Sequence, residues 1–191
     1  MELLCNALIF LITLLATLRF FRKDGTWAFR HGKAAFRYFT FLSNLLCALA
    51  ALLMCLAPGQ TWVWLLKYVG TVAVTVTMLT VFVFLAPALG SLRELLKGSD
   101  LFMHLITPLL ALLSFCLLEK RGLSFRAALL GLIPVAAYGA LYFYKVIVAP
   151  EERRWDDFYG FNRGGKWPLS VVAMLGACFA LCMALMALQN L

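Results

Sequence analysis

Charge is what this sequence has least of. Of 191 residues only 14% are Asp, Glu, Lys or Arg, and just nine are acidic. A soluble domain carries roughly 25% charged residues and about half apolar ones, whereas 64% are apolar here. That scarcity excludes an ordinary soluble domain, a disordered chain and a soluble nucleic-acid-binding module. Cysteine is missing from every polar stretch: Cys5, Cys47, Cys55, Cys116, Cys178 and Cys182 all lie inside apolar runs, so no disulfides staple exposed loops. Cys178 and Cys182 stand one helical turn apart without His or carboxylate companions, and neither a metal site nor a cofactor is expected. The polar and apolar alternation of a membrane β-barrel is absent, as are low-complexity segments, repeats and long linkers. One compact domain over residues 1–191 is the expected organisation.

What the chain does have is length of apolar run. Six are readable: Leu3 to Leu18, Phe39 to Leu56, Trp62 to Ala86, Leu101 to Leu118, Ala127 to Val148 and Pro168 to Leu188. Each approaches the roughly 20 residues that a spanning helix needs, and the mean hydropathy of +0.92 agrees. The fold class expected is all-α, a polytopic membrane protein of six transmembrane helices in one bundle. The first run opens Met1-Glu2-Leu3 and is followed, not preceded, by Arg19, Arg22 and Lys23, so it reads as a retained span and not as a cleaved leader.

The net charge of +8 then serves as an address. Thirteen of the seventeen Lys and Arg residues lie in or beside the connections after spans one, three and five, and four lie on the opposite side. This asymmetry places the odd-numbered connections in the cytoplasm and both termini outside. It needs no nucleic-acid partner.

Few polar residues lie within the spans, where they are expensive and usually serve function or pairing. Span four begins Ser99-Asp100, with Ser99 placed as an N-cap and Asp100 in the first turn. Asp100, His104 and Thr107, at i, i+4 and i+7, are expected on one face, with a kink at Pro108. His104 is the one histidine within a span, and its imidazole suits a general base, with Asp100 to orient it. It equally suits a hydrogen bond to a neighbouring helix.

Span two opens Tyr38-Phe39-Thr40-Phe41-Leu42-Ser43-Asn44, placing Thr40, Ser43 and Asn44 in a polar stripe. Thr40 and His104 lie roughly 5 to 6 Å below the same membrane face at 1.5 Å per residue, so neighbouring helices would bring them level. Thr71, Thr75, Thr77 and Thr80 on span three, and Tyr138, Tyr142 and Lys145 on span five, add polar groups. Most of these gather toward the cytoplasmic side, leaving the outer half largely apolar. The connection after span five, with Phe158, Tyr159, Phe161 and Trp167 among three glycines, reads as a structured turn on the membrane surface that covers a cavity. Its Gly164-Gly165-Lys166 lacks the spacing and the strand of a phosphate loop.

Tyr38-Phe39-Thr40-Phe41 on span two, with Met103-His104 and Pro108 on span four, resembles the androgen-induced and androgen-dependent membrane hydrolases and their six-helix bacterial relatives. The resemblance covers most of the chain in helix number and polar placement, and about a dozen residues in specific motif. It implies a multipass threonine hydrolase, in a bacterial plasma membrane, that cleaves fatty acid esters of hydroxy fatty acids. Thr40 would be the nucleophile and His104 the essential histidine. The segment Asp157-Phe158-Tyr159-Gly160-Phe161-Asn162 has no counterpart in the animal members.

The chemistry is coherent: a hydroxyl becomes a nucleophile when a base takes its proton, and His104 is the best-placed base in the sequence. Asn44, Ser43 and Tyr142 are the candidate oxyanion donors, and Lys145 or Arg37 the candidate holders of a fatty-acid carboxylate. The expected partner is a lipid or fatty-acid ester substrate within the membrane. Two alternatives stand beside hydrolysis. One is acyl transfer from the same acyl-threonine to an alcohol or lysolipid. The other is a small transporter whose polar path includes His104 and Asp100, against which the apolar outer half counts.

Overall fold

The computed structural model describes residues 1–23 and 25–191, with every side chain among them except those of Lys23, His31 and Leu89. Six helices are long and apolar enough to cross a membrane: α1 Glu2–Arg19, α2 Phe39–Leu56, α3 Thr61–Ala88, α4 Ser99–Leu117, α5 Phe125–Val148 and α6 Trp167–Asn190. The chain is an all-α integral membrane protein, and the helix ends fall within two residues of those read from the apolar runs. Between α1 and α2 lie a short helix, Phe29–Ala35, and a two-residue antiparallel pairing of Arg22–Lys23 with Thr26–Trp27.

Helices α1 to α4 close into a ring: α1 packs on α2, α2 on α3, α3 on α4 and α4 back on α1. The ring is tight because its centre is built from small residues. Cys47, Ala51 and Ala111 meet Ile9 and Val74 there, and a Cβ on Gly70 would lie only 3.0 Å from the Cys47 Cα. Without a hydrophobic force between helices in lipid, close backbone approach of this kind supplies the contact energy.

Helices α5 and α6 lie outside the ring, against each other and against α3. One close approach lies at Gly131. A Cβ there would stand 2.7 Å from Cys182 Sγ, 2.9 Å from the Tyr68 hydroxyl and 3.0 Å from Val72 Cγ2, and the Tyr68 hydroxyl donates to the Ala128 carbonyl at 2.7 Å.

At the end that carries the basic connections three helices widen into π turns, Thr80–Leu85 in α3, Phe102–Ile106 in α4 and Tyr144–Val148 in α5. Each ends two residues before a proline: Pro87, Pro108 and Pro150. Pro87 and Pro108 lie within their helices, where proline has no N–H and its ring crowds the carbonyl a turn behind it, so a widened turn relieves the clash; Pro150 lies beyond the end of α5. The expected disturbance at Pro108 thus takes the form of an i→i−5 register around His104, with Thr107 N–H donating to the Phe102 carbonyl. The N-cap of α4 differs from expectation. Gly98, at φ 57°, occupies that position and no side chain caps the helix, because the chain turns there through a left-handed backbone that Ser99 would resist.

Candidate functional site

A cleft of about 50 Å³ lies between α2, α3, α5, α6 and the loop after α5. Hydroxyls line it from four elements: Thr40 of α2, Thr77 and Thr80 of α3, Tyr138 and Tyr142 of α5, and Tyr159 of the loop that follows α5. Phe161 from the same loop closes one wall, so the connection read as a surface turn does cover a cavity.

Thr40 is placed by the start of α2. Tyr38, the N-cap residue, has extended backbone and offers no side-chain cap. The cap comes instead from the distant loop: Phe39 N–H donates to the Tyr159 hydroxyl at 3.1 Å. Burial pushes the Tyr159 phenol up to about 12, and the Phe39 N–H partly offsets the rise. A helix N-terminus is also where partial positive charge accumulates, which suits developing negative charge beside Thr40.

The loop is held by Asp157. Its carboxylate accepts the Tyr142 hydroxyl at 2.9 Å and the backbone N–H groups of Phe161 and Asn162 at 2.9 and 2.8 Å. Tyr159 N–H then donates to the Tyr142 oxygen at 3.1 Å. The Tyr138 hydroxyl donates to the Arg37 carbonyl at 2.6 Å, tying α5 to the residue just before α2.

His104 is buried at 8% exposure. Its Nδ1 lies 2.7 Å from the Leu95 carbonyl, an acceptor, so Nδ1 carries the hydrogen and Nε2 the lone pair of the neutral ring. The orienting group is therefore a backbone carbonyl and not Asp100, with which His104 shares no hydrogen bond among the described residues. Thr107 of the same helix meets Thr13 of α1, hydroxyl to hydroxyl at 3.0 Å.

Thr40 and His104 are not hydrogen-bonded to each other, and His104 does not line the cleft. Their helices do touch. The two amide hydrogens of Asn44 go to the Thr40 carbonyl at 2.8 Å and the Met103 carbonyl at 3.1 Å. Asn44 therefore has no donor left for an oxyanion. Ser43 pairs with the Thr40 carbonyl at 3.1 Å and Thr77 at 2.9 Å, and Tyr142 is engaged by Asp157. Lys145 places its ammonium 5.8 Å from the Trp155 ring centroid.

The opposite end holds what the sequence reading missed. Lys67 of α3 and Glu119, just beyond α4, lie 3.3 Å apart with no exposed side-chain surface. Asn6 of α1 donates to Glu119 at 2.8 Å and accepts from Lys67 at 2.5 Å, while Ser114 donates to the same carboxylate oxygen at 2.5 Å. The half opposite the basic connections, expected to be largely apolar, thus holds a buried polar cluster. Below Lys67, buried Thr71 and Thr75 continue along one face of α3. The signal was present: a Lys and an Asn within apolar runs are uncommon enough to single out.

No group of three or more His, Cys, Asp or Glu among the described residues is arranged to hold a metal. No family model, curated protein or solved structure matches this chain.

Proposed function

We propose that this protein is an intramembrane hydrolase of fatty-acyl esters, with Thr40 as nucleophile and His104 as its base. The observation that carries the reading is the position of Thr40: it lines the hydroxyl cleft as the second residue of a spanning helix, with Tyr159 in the same wall. The ester bond of a lipid sits at such a boundary, with its chains in hydrocarbon. The basic connections then face the cytoplasm by the asymmetry of Lys and Arg.

In the first half-reaction His104 Nε2 takes the Thr40 Oγ1 proton as Oγ1 bonds to the ester carbon. The alcohol oxygen leaves with that proton, giving acyl-threonine. Water then loses a proton to His104, its oxygen bonds to the acyl carbon, and the fatty acid departs as the Thr40 hydroxyl is restored. The Tyr159 phenol, which lines the cleft with Thr40, is the candidate donor to the developing oxyanion. The mechanism requires the imidazole to reach Thr40 directly or through one water. Asn44 supports this by holding the Thr40 and Met103 carbonyls on a single amide group.

The test is ester hydrolysis by purified protein in lipid vesicles, with simple and branched fatty-acid esters as substrates. Thr40→Ala and His104→Ala are expected to remove turnover while leaving the thermal unfolding curve in place. Full turnover in either variant rejects the dyad. Product that appears only when lysolipid is added identifies acyl transfer in place of hydrolysis.

The buried Lys67 and Glu119 pair favours a second reading, a small transporter whose polar path runs from that pair along Thr71 and Thr75. Substrate-dependent flux in proteoliposomes, lost on Glu119→Gln, is its test.

A further inference from the structure

Beside the hydroxyl cleft, between α3 and α6, runs a second crevice of about 330 Å³, and Val76, Thr80, Phe161 and Met174 line both. The two spaces adjoin at these four residues. Small residues, Ala173 and Ala177, keep the α6 wall shallow.

Its chemistry selects an apolar occupant. Thr80 and Ser170 are the hydroxyls along it, and both donate to backbone carbonyls, of Val76 at 2.8 Å and Phe161 at 2.9 Å. Neither has a hydrogen to offer a ligand. On the α6 side the crevice runs from Ser170 to Cys178. That is about 12 Å of helix, close to one leaflet of a hydrocarbon core about 30 Å thick. It faces outward between two spanning helices, at the depth of lipid tails.

We infer that this crevice is the seat of a single acyl chain drawn sideways from the basic-end leaflet, with the carbonyl end of the chain in the cleft beside Thr40 and Tyr159. Phe161 and Met174 stand where chain and carbonyl meet. The seat deepens the proposed activity by specifying an acyl lipid that arrives from within the membrane. Occupancy of the crevice itself does not depend on hydrolysis.

The test uses the full chain in phosphatidylcholine vesicles containing a trace of phospholipid with a mid-chain diazirine, photolysed and mapped by mass spectrometry. Met174 and Phe161 decide the outcome, because both line the crevice and the cleft and both are only half-buried. Adducts are expected on these two residues. Ala173→Trp and Ala177→Trp, each at an exposed crevice position, are expected to lower them about tenfold by filling the space. Val172→Trp, at a position 68% exposed and outside the crevice, leaves them unchanged.

Labelling confined to outward residues such as Val172 and Phe179, or labelling of Met174 and Phe161 that neither crevice tryptophan reduces, overturns the seat. Ester hydrolysis measured on the same vesicles separates the two ideas. Tryptophan-sensitive labelling of Met174 and Phe161 in a protein without hydrolysis upholds the seat and removes the hydrolase. Hydrolysis without that labelling does the reverse.

Discussion

Asn44 of α2 donates to the carbonyl of Met103 in α4 at 3.1 Å, and Met103 is the residue whose carbonyl Pro108 leaves without a helical partner. In the i→i−5 register around His104, the N–H of residue 108 would serve Met103, and proline has none. A side-chain amide from another helix fills the gap. One sequence feature, the proline, thus creates the acceptor that a second, the asparagine, satisfies, and the candidate nucleophile and base are joined by the result.

A double-mutant cycle tests this pairing. Asn44→Leu leaves a buried carbonyl unsatisfied and is expected to cost about 1 to 3 kcal/mol. In a Pro108→Ala background, where the backbone N–H returns, the same substitution is expected to cost clearly less. Equal costs in both backgrounds, read from unfolding in mixed detergent, would show that Asn44 and Pro108 are not coupled.

Lys67 and Glu119 offer a stability test of the opposite end. Removing one partner by Glu119→Ala strands a buried ammonium and is expected to cost about 3 to 5 kcal/mol. The paired replacement Lys67→Met with Glu119→Leu leaves no charge behind and is expected to cost less than either single change. Unfolding midpoints of the three variants give the comparison.

Asp157 is expected to govern the loop over the cleft. Asp157→Ala removes the acceptor for the Phe161 and Asn162 amides and for the Tyr142 hydroxyl. Hydrogen exchange at Phe161 and Asn162 should quicken by an order of magnitude or more, while exchange within α1 to α4 stays as it was. Unchanged protection at those two amides would mean that the loop is held by its ring contacts alone.

Tyr159 predicts a pH dependence at the alkaline end. Its phenol titrates near 10 in an unfolded chain and at about 12 in the folded one. Between those values the unfolded state binds fewer protons, so stability falls as pH rises from about 10 to about 12. Tyr159→Phe should flatten that part of the curve. Below pH 10 the phenol keeps its hydrogen, and no loss of activity from its ionisation is expected there.

The number of spans and their ends were legible in the sequence, because the apolar length needed to cross a bilayer is a property of consecutive residues. So was the loop over the cleft, from aromatics set among glycines. The three π turns had a readable mark as well, a proline two residues beyond each. The partners of the polar side chains were not legible. Thr107 points to Thr13, Asn44 to Met103 and His104 to Leu95, and no spacing along one helix says which face meets which neighbour.

Lys67 shows the boundary well. By sequence it was one more cation on the less basic side. In the fold, Asn6 of α1 and Glu119 just beyond α4 converge on it, and Ser114 holds the same carboxylate. What the sequence alone determined was the solvent: apolar length and scarce charge commit this chain to six helices in a membrane, since each run must satisfy its own backbone hydrogen bonds in lipid. Only the tertiary structure decided which of the scarce polar groups are spent on one another and which face open space, because that depends on helix rotation and separation, set by small residues such as Gly70 and Gly131 where backbones meet.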